Sequence, residues 1–312
     1  MLTSVLTAAA VAAVLTPHQV VFVDTAAAAV VRSVPLPGDA LAAFAAPDGR
    51  IVVPLGGSAG TAVVSVSGAV ERWPGRVFPL FFREADRMYV VLPHRLATLS
   101  YPERILLERI PLAGVEGARR AACSNDGRLV AVAPDPGGHE LVLVPALEEG
   151  VPFRVELGGE PGLVELAPDG MYTIVAVDSR SLELVIPGQK RSVRGAVTFA
   201  GTVRALAAGK DARDVLVGLA GPVGGEVVDV RVQAGKREPL RIVFRAALAA
   251  GVTAVASVGE EIAALSGDDL VMLSGNGRHA LRRVSVAGAC GLAMVPNDVR
   301  TTVPQWSDAA AP

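Results

Sequence analysis

Hydrophobic and polar positions follow no helical period anywhere along the chain. Short apolar runs rich in Val, Ile, Leu and Ala are separated by clusters of Gly, Pro, Asp, Asn and Ser, which is the pattern of short strands joined by tight turns. The runs recur in a common layout: an apolar stretch, a turn, then a second β-rich stretch. It is clearest in residues 41–53 around Asp48-Gly49, 121–132 around Asp126-Gly127 and 163–175 around Asp169-Gly170. Asp-Gly between β runs is a strong hairpin signal, because both residues tolerate the left-handed backbone that a tight turn needs. Weaker copies centre on Asp86, Asp211, Glu260 and Asp298, and successive marks are 38, 40, 43, 42, 49 and 38 residues apart.

A repeat of about 42 residues is the length of one four-stranded blade of a β-propeller. Each interval holds three further strand candidates; between Asp169 and Asp211 they are 172–177, 182–186 and 196–199. The seventh turn lies near the C-terminus, and the strands that should follow it occur instead at 11–15, 20–24 and 30–34. The sequence therefore predicts an all-β, seven-bladed β-propeller of four-stranded antiparallel blades. One blade is closed by a C-terminal strand, 289–295, and three N-terminal strands, which protects sheet edges that would otherwise invite aggregation. Residues 1–298 are expected to form this single domain and 299–312 a tail outside it.

The apolar run 2–15 also invites a signal-peptide reading. No Lys or Arg precedes Arg32, and fourteen residues fall short of the ~20 needed to cross a bilayer as a helix. A cytoplasmic location without a membrane span is expected, with a periplasmic or secreted one as the alternative if the first 16 residues are cleaved.

The run Gly159-Glu160-Pro161-Gly162 through Pro168-Asp169-Gly170, with Val21-Phe22-Val23-Asp24-Thr25 ahead of Val30-Val31-Arg32, resembles the YVTN-type, surface-layer-like seven-bladed β-propellers. The resemblance spans about 290 residues. The tetrapeptide itself is replaced by Ile51-Val-Val-Pro, Val130-Ala-Val-Ala and Ile174-Val-Ala-Val. What the resemblance implies is the fold; propellers host unrelated activities.

Composition narrows the function classes. Of 312 residues 51% are hydrophobic and 19% charged, so a large core is expected, and aromatics at 4% make it aliphatic. A net charge of -2 supplies no field for nucleic acid or an anionic membrane. Cys123 and Cys290, in apolar β settings without an adjacent histidine, are expected to be inert thiols.

The innermost strands line a propeller's channel and are where its chemistry is expected. Their ionisable groups are Arg119, Arg120, Arg204 and Glu165. The three arginines are candidate anion ligands, while one carboxylate does not make a calcium site. His18, His94 and His139 fall in turns between the second and third strands of separate blades, too far apart for one metal and suited to a partner surface. Trp73 and Trp306 are further partner-contact candidates, Trp being enriched at interface hot spots. No metal and no organic cofactor is expected. The reading is a non-catalytic interaction platform, an accessory or scaffold subunit bound to protein partners. The alternatives are a lactonase-type propeller hydrolase and a secreted or surface-layer-type binding module.

Overall fold

The computed structural model describes residues 10–81, 87–135, 138–147, 150–233, 236 and 238–295, and all their regular structure is β. Blade 1 contains β1 (Val11–Thr16), β2 (Gln19–Asp24) and β3 (Ala29–Pro35). Blade 2 is β4 (Phe44–Ala45), β5 (Ile51–Pro54), β6 (Thr61–Val64) and β7 (Val70–Trp73). Blade 3 is β8 (Pro79–Phe81), β9 (Arg87–Leu92), β10 (Arg95–Ser100) and β11 (Leu106–Pro111). Blade 4 is β12 (Gly117–Cys123), β13 (Leu129–Asp135), β14 (Glu140–Pro145) and β15 (Phe153–Glu156). Blade 5 is β16 (Pro161–Leu166), β17 (Thr173–Val177), β18 (Ser181–Val185) and β19 (Val193–Thr198). Blade 6 is β20 (Thr202–Ala208), β21 (Asp214–Gly221), β22 (Gly224–Val232) and β23 (Leu240–Leu248). Blade 7 is β24 (Val252–Val258), β25 (Glu261–Ser266), β26 (Asp269–Ser274) and β27 (Ala280–Ser285). The last strand, β28 (Gly291–Val295), returns to blade 1 and pairs antiparallel with β1, from Val11 opposite Val295 to Leu15 opposite Gly291.

Every sheet is a four-stranded antiparallel meander. The first strands touch one another in sequence, β28 to β4, β8, β12, β16, β20, β24 and back to β28, so the ring is closed. The chain is thus a seven-bladed β-propeller shut by its own two ends, as the displaced strands of the repeat predict. No helix among the described residues is long and apolar enough to cross a membrane.

The core is seven aliphatic layers among the described residues, one between each pair of neighbouring blades. Side chains alternate across a strand, so β1 sends Ala13 and Leu15 toward blade 2, and Ala12 and Val14 toward blade 7. Both faces of the middle strands are buried, which is why they read as continuous apolar runs. Near the axis the strands converge and small residues fit: Ala122, Ala205, Ala207, Ala254, Ala256 and Ala293 are all buried there.

Two local devices repeat. In the Asp-Gly turns, Asp48, Asp126 and Asp169 each accept a hydrogen bond from the amide two residues on, at 3.1, 3.0 and 3.1 Å. The glycines that follow take φ of 82°, 71° and 70°, a region other residues enter at a cost. At the opposite end of the blades, the residue after an outer strand donates its amide to the carbonyl of the turn between second and third strands. The pairs are Leu36 to His18, Leu112 to His94 and Leu157 to His139, each at 2.8 Å, and Phe199 to Arg180 and Val286 to Asp268 at 2.9 and 2.7 Å.

Candidate functional site

The sequence-derived candidates separate into three groups. His18, His94 and His139 are exposed and occupy one structurally equivalent position in blades 1, 3 and 4, where their carbonyls anchor the next linker. His18 Nδ1 lies 3.1 Å from the Asp39 carboxylate. His139 lines a rim cleft of about 630 Å³ with Phe153, Arg154 and the Gly188–Lys190 turn of the next blade. The histidines do not converge, and no group of three or more His, Cys, Asp or Glu positioned for a metal ion occurs among the described residues.

The channel candidates lie on the first strands of blades 4 and 6. Ladder registers shift between Ala118 and Arg120 and between Val203 and Ala205, so Arg119 and Arg204 are the extra residues of β-bulges. Register shifts recur in the first strands of blades 5 and 7, which makes the bulge a feature of the repeat. Arg204 is exposed, Arg120 is half-buried in blade 4, and the side chain of Arg119 lies outside the described residues. Glu165 is not a channel carboxylate. At 2% exposure it is enclosed beside β20, where the Ala208 amide bonds to it, and burial raises its pKa well above the carboxylate range. Cys123 donates to the Phe81 carbonyl at 3.1 Å, and burial pushes its pKa up to about 12, which suits an inert thiol. Cys290 behaves likewise against the Leu15 carbonyl at 3.4 Å.

Trp73 corrects an expectation. It is 1% exposed and packs between blades 2 and 3 against Tyr101, out of reach of a partner. Residues of an outer strand are usually wet, but the loop before β11 folds back over this one. Trp306 and the proposed tail 299–312 lie outside the described residues.

The chemistry that sequence reasoning missed lies between blades 6 and 7. A cavity of about 520 Å³ opens where the repeat departs from Asp-Gly, at Gly209-Lys210-Asp211 and at Gly259-Glu260. Arg231 on β22 grips Asp214 with two hydrogen bonds, Nε at 2.7 Å and Nη2 at 2.8 Å, and reaches Asp211 at 3.3 Å. This bidentate pairing holds the arginine firmly protonated. Two residues earlier, Asp229 stands between Leu216 on β21 and Phe244 on β23, beside the Asp214–Arg231 pair. It is 7% exposed, and its Oδ1 has no hydrogen-bond partner among the described residues. Burial first, and then the charge of Asp214, push its pKa up to about 7, against the partial relief of Arg231. The available signal was an acid set in a valine-rich strand, Val227-Val228-Asp229-Val230, where both faces of the sheet are covered.

Between the unfolded carboxyl pKa near 4 and about 7, the folded chain keeps a proton on Asp229 that the unfolded chain releases. The protein therefore loses stability from this group as pH rises through that window, and the full penalty is present above it. Asp229→Asn is expected to raise the Tm by a few degrees at pH 8, with the gain shrinking toward zero at pH 4. Thermal melts of both proteins across this range check it; a gain independent of pH would contradict the assignment.

No family model and no curated protein matches the sequence. Solved structures do match the fold. A functionally unknown protein from Desulfotomaculum acetoxidans aligns at TM-score 0.71 and 13% identity, over 92% of this chain and 98% of that one. Apo AztD from Citrobacter koseri aligns at 0.64 and 11%, over 92% and 97%. U3-55K aligns at 0.66 and 12%, over 92% of both chains. At these identities the likeness is one of fold alone.

Proposed function

We propose that the chain is a non-catalytic interaction platform, an accessory or scaffold subunit within a larger protein assembly. The observation that carries this reading is a run of exposed aliphatic side chains at one end of the outer strands. Ile105, Leu106 and Leu107 are 62%, 41% and 49% exposed in consecutive positions at the start of β11. Val70 on β7, Val30 and Val31 on β3 and Leu281 on β27 are exposed near the corresponding ends in the adjacent blades 2, 1 and 7. Single exposed aliphatics are ordinary; their recurrence at the same end of four outer strands is what supports a contact surface. The set also lies on outer strands, whose free edges offer unpaired backbone groups to a partner.

Trp306 belongs to the same proposal as a second contact, supported by the enrichment of tryptophan at hot spots. The Gly159–Gly170 motif supports placing the chain among the YVTN-type propellers. The test is the mass of the protein in native extract, compared with a Leu106→Lys, Leu107→Lys double variant. The unaltered chain should travel in a complex well above 32.0 kDa, and the variant near that mass with an unchanged Tm. Migration of the unaltered chain as a monomer would defeat the reading, as would retention of the variant in the complex.

A further inference from the structure

We propose that the cavity between blades 6 and 7 binds an organic cation, a primary ammonium or guanidinium on a hydrocarbon stem, whose N–H groups donate to Asp229. The site stands apart from the aliphatic surface on the outer strands and does not depend on it.

The charge inventory of the cavity selects the ligand. Asp211 and Asp214 are already held by Arg231, Glu260 by Lys210, and Glu261 by Arg282 from β27. Asp229 is the acid left over, with a buried oxygen that meets no donor among the described residues. A buried acceptor without a partner is costly, and a donor that reaches it recovers that cost on binding. The lining residues carry five carboxylates against four basic side chains, of which Arg245 is held by Glu226, so the wall offers an anion no net attraction. A metal ion needs several oxygen ligands around one point, and no such group is positioned here among the described residues.

The walls select the stem. Beside Asp229 the lining includes Leu216, Phe244, Val243 and Ile262, which give an alkyl stem apolar surface to lie against while its charged end reaches the carboxylate. Gly277, at φ 67°, lies directly on the Phe244 ring, and any larger residue there would displace this wall. A cation entering this site also draws Asp229 into its ionised form, so the strained carboxyl becomes a binding group. Perturbed acids of this kind gather at functional sites.

Two sources share this chemistry, a free amine and a Lys or Arg side chain of another protein. Calorimetric titration of the full chain at pH 8 uses agmatine and spermidine for the first, and acetylated, amidated Gly-Arg-Gly and Gly-Lys-Gly for the second. Saturable binding of either class is expected. Asp229→Asn, which keeps the shape and removes the charge, should weaken it by roughly tenfold or more. Val243→Trp, at an exposed lining position, narrows the cavity without altering Asp229 and should abolish binding while the Tm stays unchanged. Binding of the free amines alone, or of the peptides alone, assigns the source. Equal affinity in Asp229→Asn, or no binding of any of the four probes to the unaltered chain, overturns the proposal. Loss of the aliphatic surface through Leu106→Lys and Leu107→Lys should leave these titrations unchanged, so the two readings fail separately.

Discussion

A chain ending at Ser285 should lose its cooperative fold altogether, although only a single strand of the propeller has been removed. β28 is the innermost strand of blade 1, and its side chains feed two layers at once. Leu292 and Met294 pack between blades 7 and 1, and Ala293 and Val295 between blades 1 and 2. The deletion also takes Val286, whose amide anchors the linker to the Asp268 carbonyl at 2.7 Å. What remains is an open ring with β1 as an unpaired edge, two of the seven described layers broken, and buried aliphatics turned to water. Point changes in a core usually cost a few kcal/mol, but loss of closure removes contacts on both sides of the seam, which exceeds the total stability typical of a domain. Near-ultraviolet circular dichroism and limited proteolysis check the outcome. The proposed domain boundary gives the control: a chain ending at Asp298 keeps β28 and should melt as the full chain does. A sharp, unshifted transition for the chain ending at Ser285 would show that the ring does not need its clasp.

The fold was legible because each blade reuses the same local chemistry. Asp48-Gly49, Asp126-Gly127 and Asp169-Gly170 turn the chain by side-chain-to-amide bonds that depend only on neighbours in sequence. Counting them located the other blades, and the missing strands after the seventh turn located the seam. The cavity was not legible, for the opposite reason. Its carboxylates come from β21, β22, β25 and two turns, its apolar walls from β21, β23 and β25, and its mouth from turns where the repeat has lost its Asp-Gly signal. Nothing local in sequence tells Asp229, whose neighbours leave its Oδ1 without a donor, from Glu183, which accepts from the Gly158 amide at 2.9 Å and the Ser192 hydroxyl at 2.5 Å. Both are acids in apolar strands, and only the packing of blades decides which is satisfied. The bulges at Arg119 and Arg204 were hidden for a related reason: a bulge inserts one residue into a ladder, and strand periodicity does not announce it.

Trp73 shows the same limit from the other side and carries the second large effect. Its position on an outer strand suggests exposure, yet the loop preceding β11 covers it. Nε1 donates to Glu71 at 3.0 Å, the Tyr101 ring meets it edge to face at 6.1 Å, and the Arg104 guanidinium stacks 5.0 Å above it. Tyr101 in turn donates its hydroxyl to Asp48 of the blade 2 turn, 3.0 Å from either oxygen. Tyr101, packed against the indole, therefore joins a turn of blade 2 to a loop of blade 3. Trp73→Ala should cost about 3–5 kcal/mol, through lost burial and the cavity left behind. Trp73→Phe should cost roughly 1–2 kcal/mol, since it keeps much of the packing and gives up the bond to Glu71. Urea unfolding followed by circular dichroism gives both values. The same loop runs directly into Ile105, Leu106 and Leu107, so Trp73→Ala should also weaken partner recovery, but only together with stability. Leu106→Lys with Leu107→Lys should weaken recovery alone. If Trp73→Ala left the unfolding midpoint in place while abolishing partner recovery, the indole would be a contact after all and its buried position in the free chain would not be the one that matters.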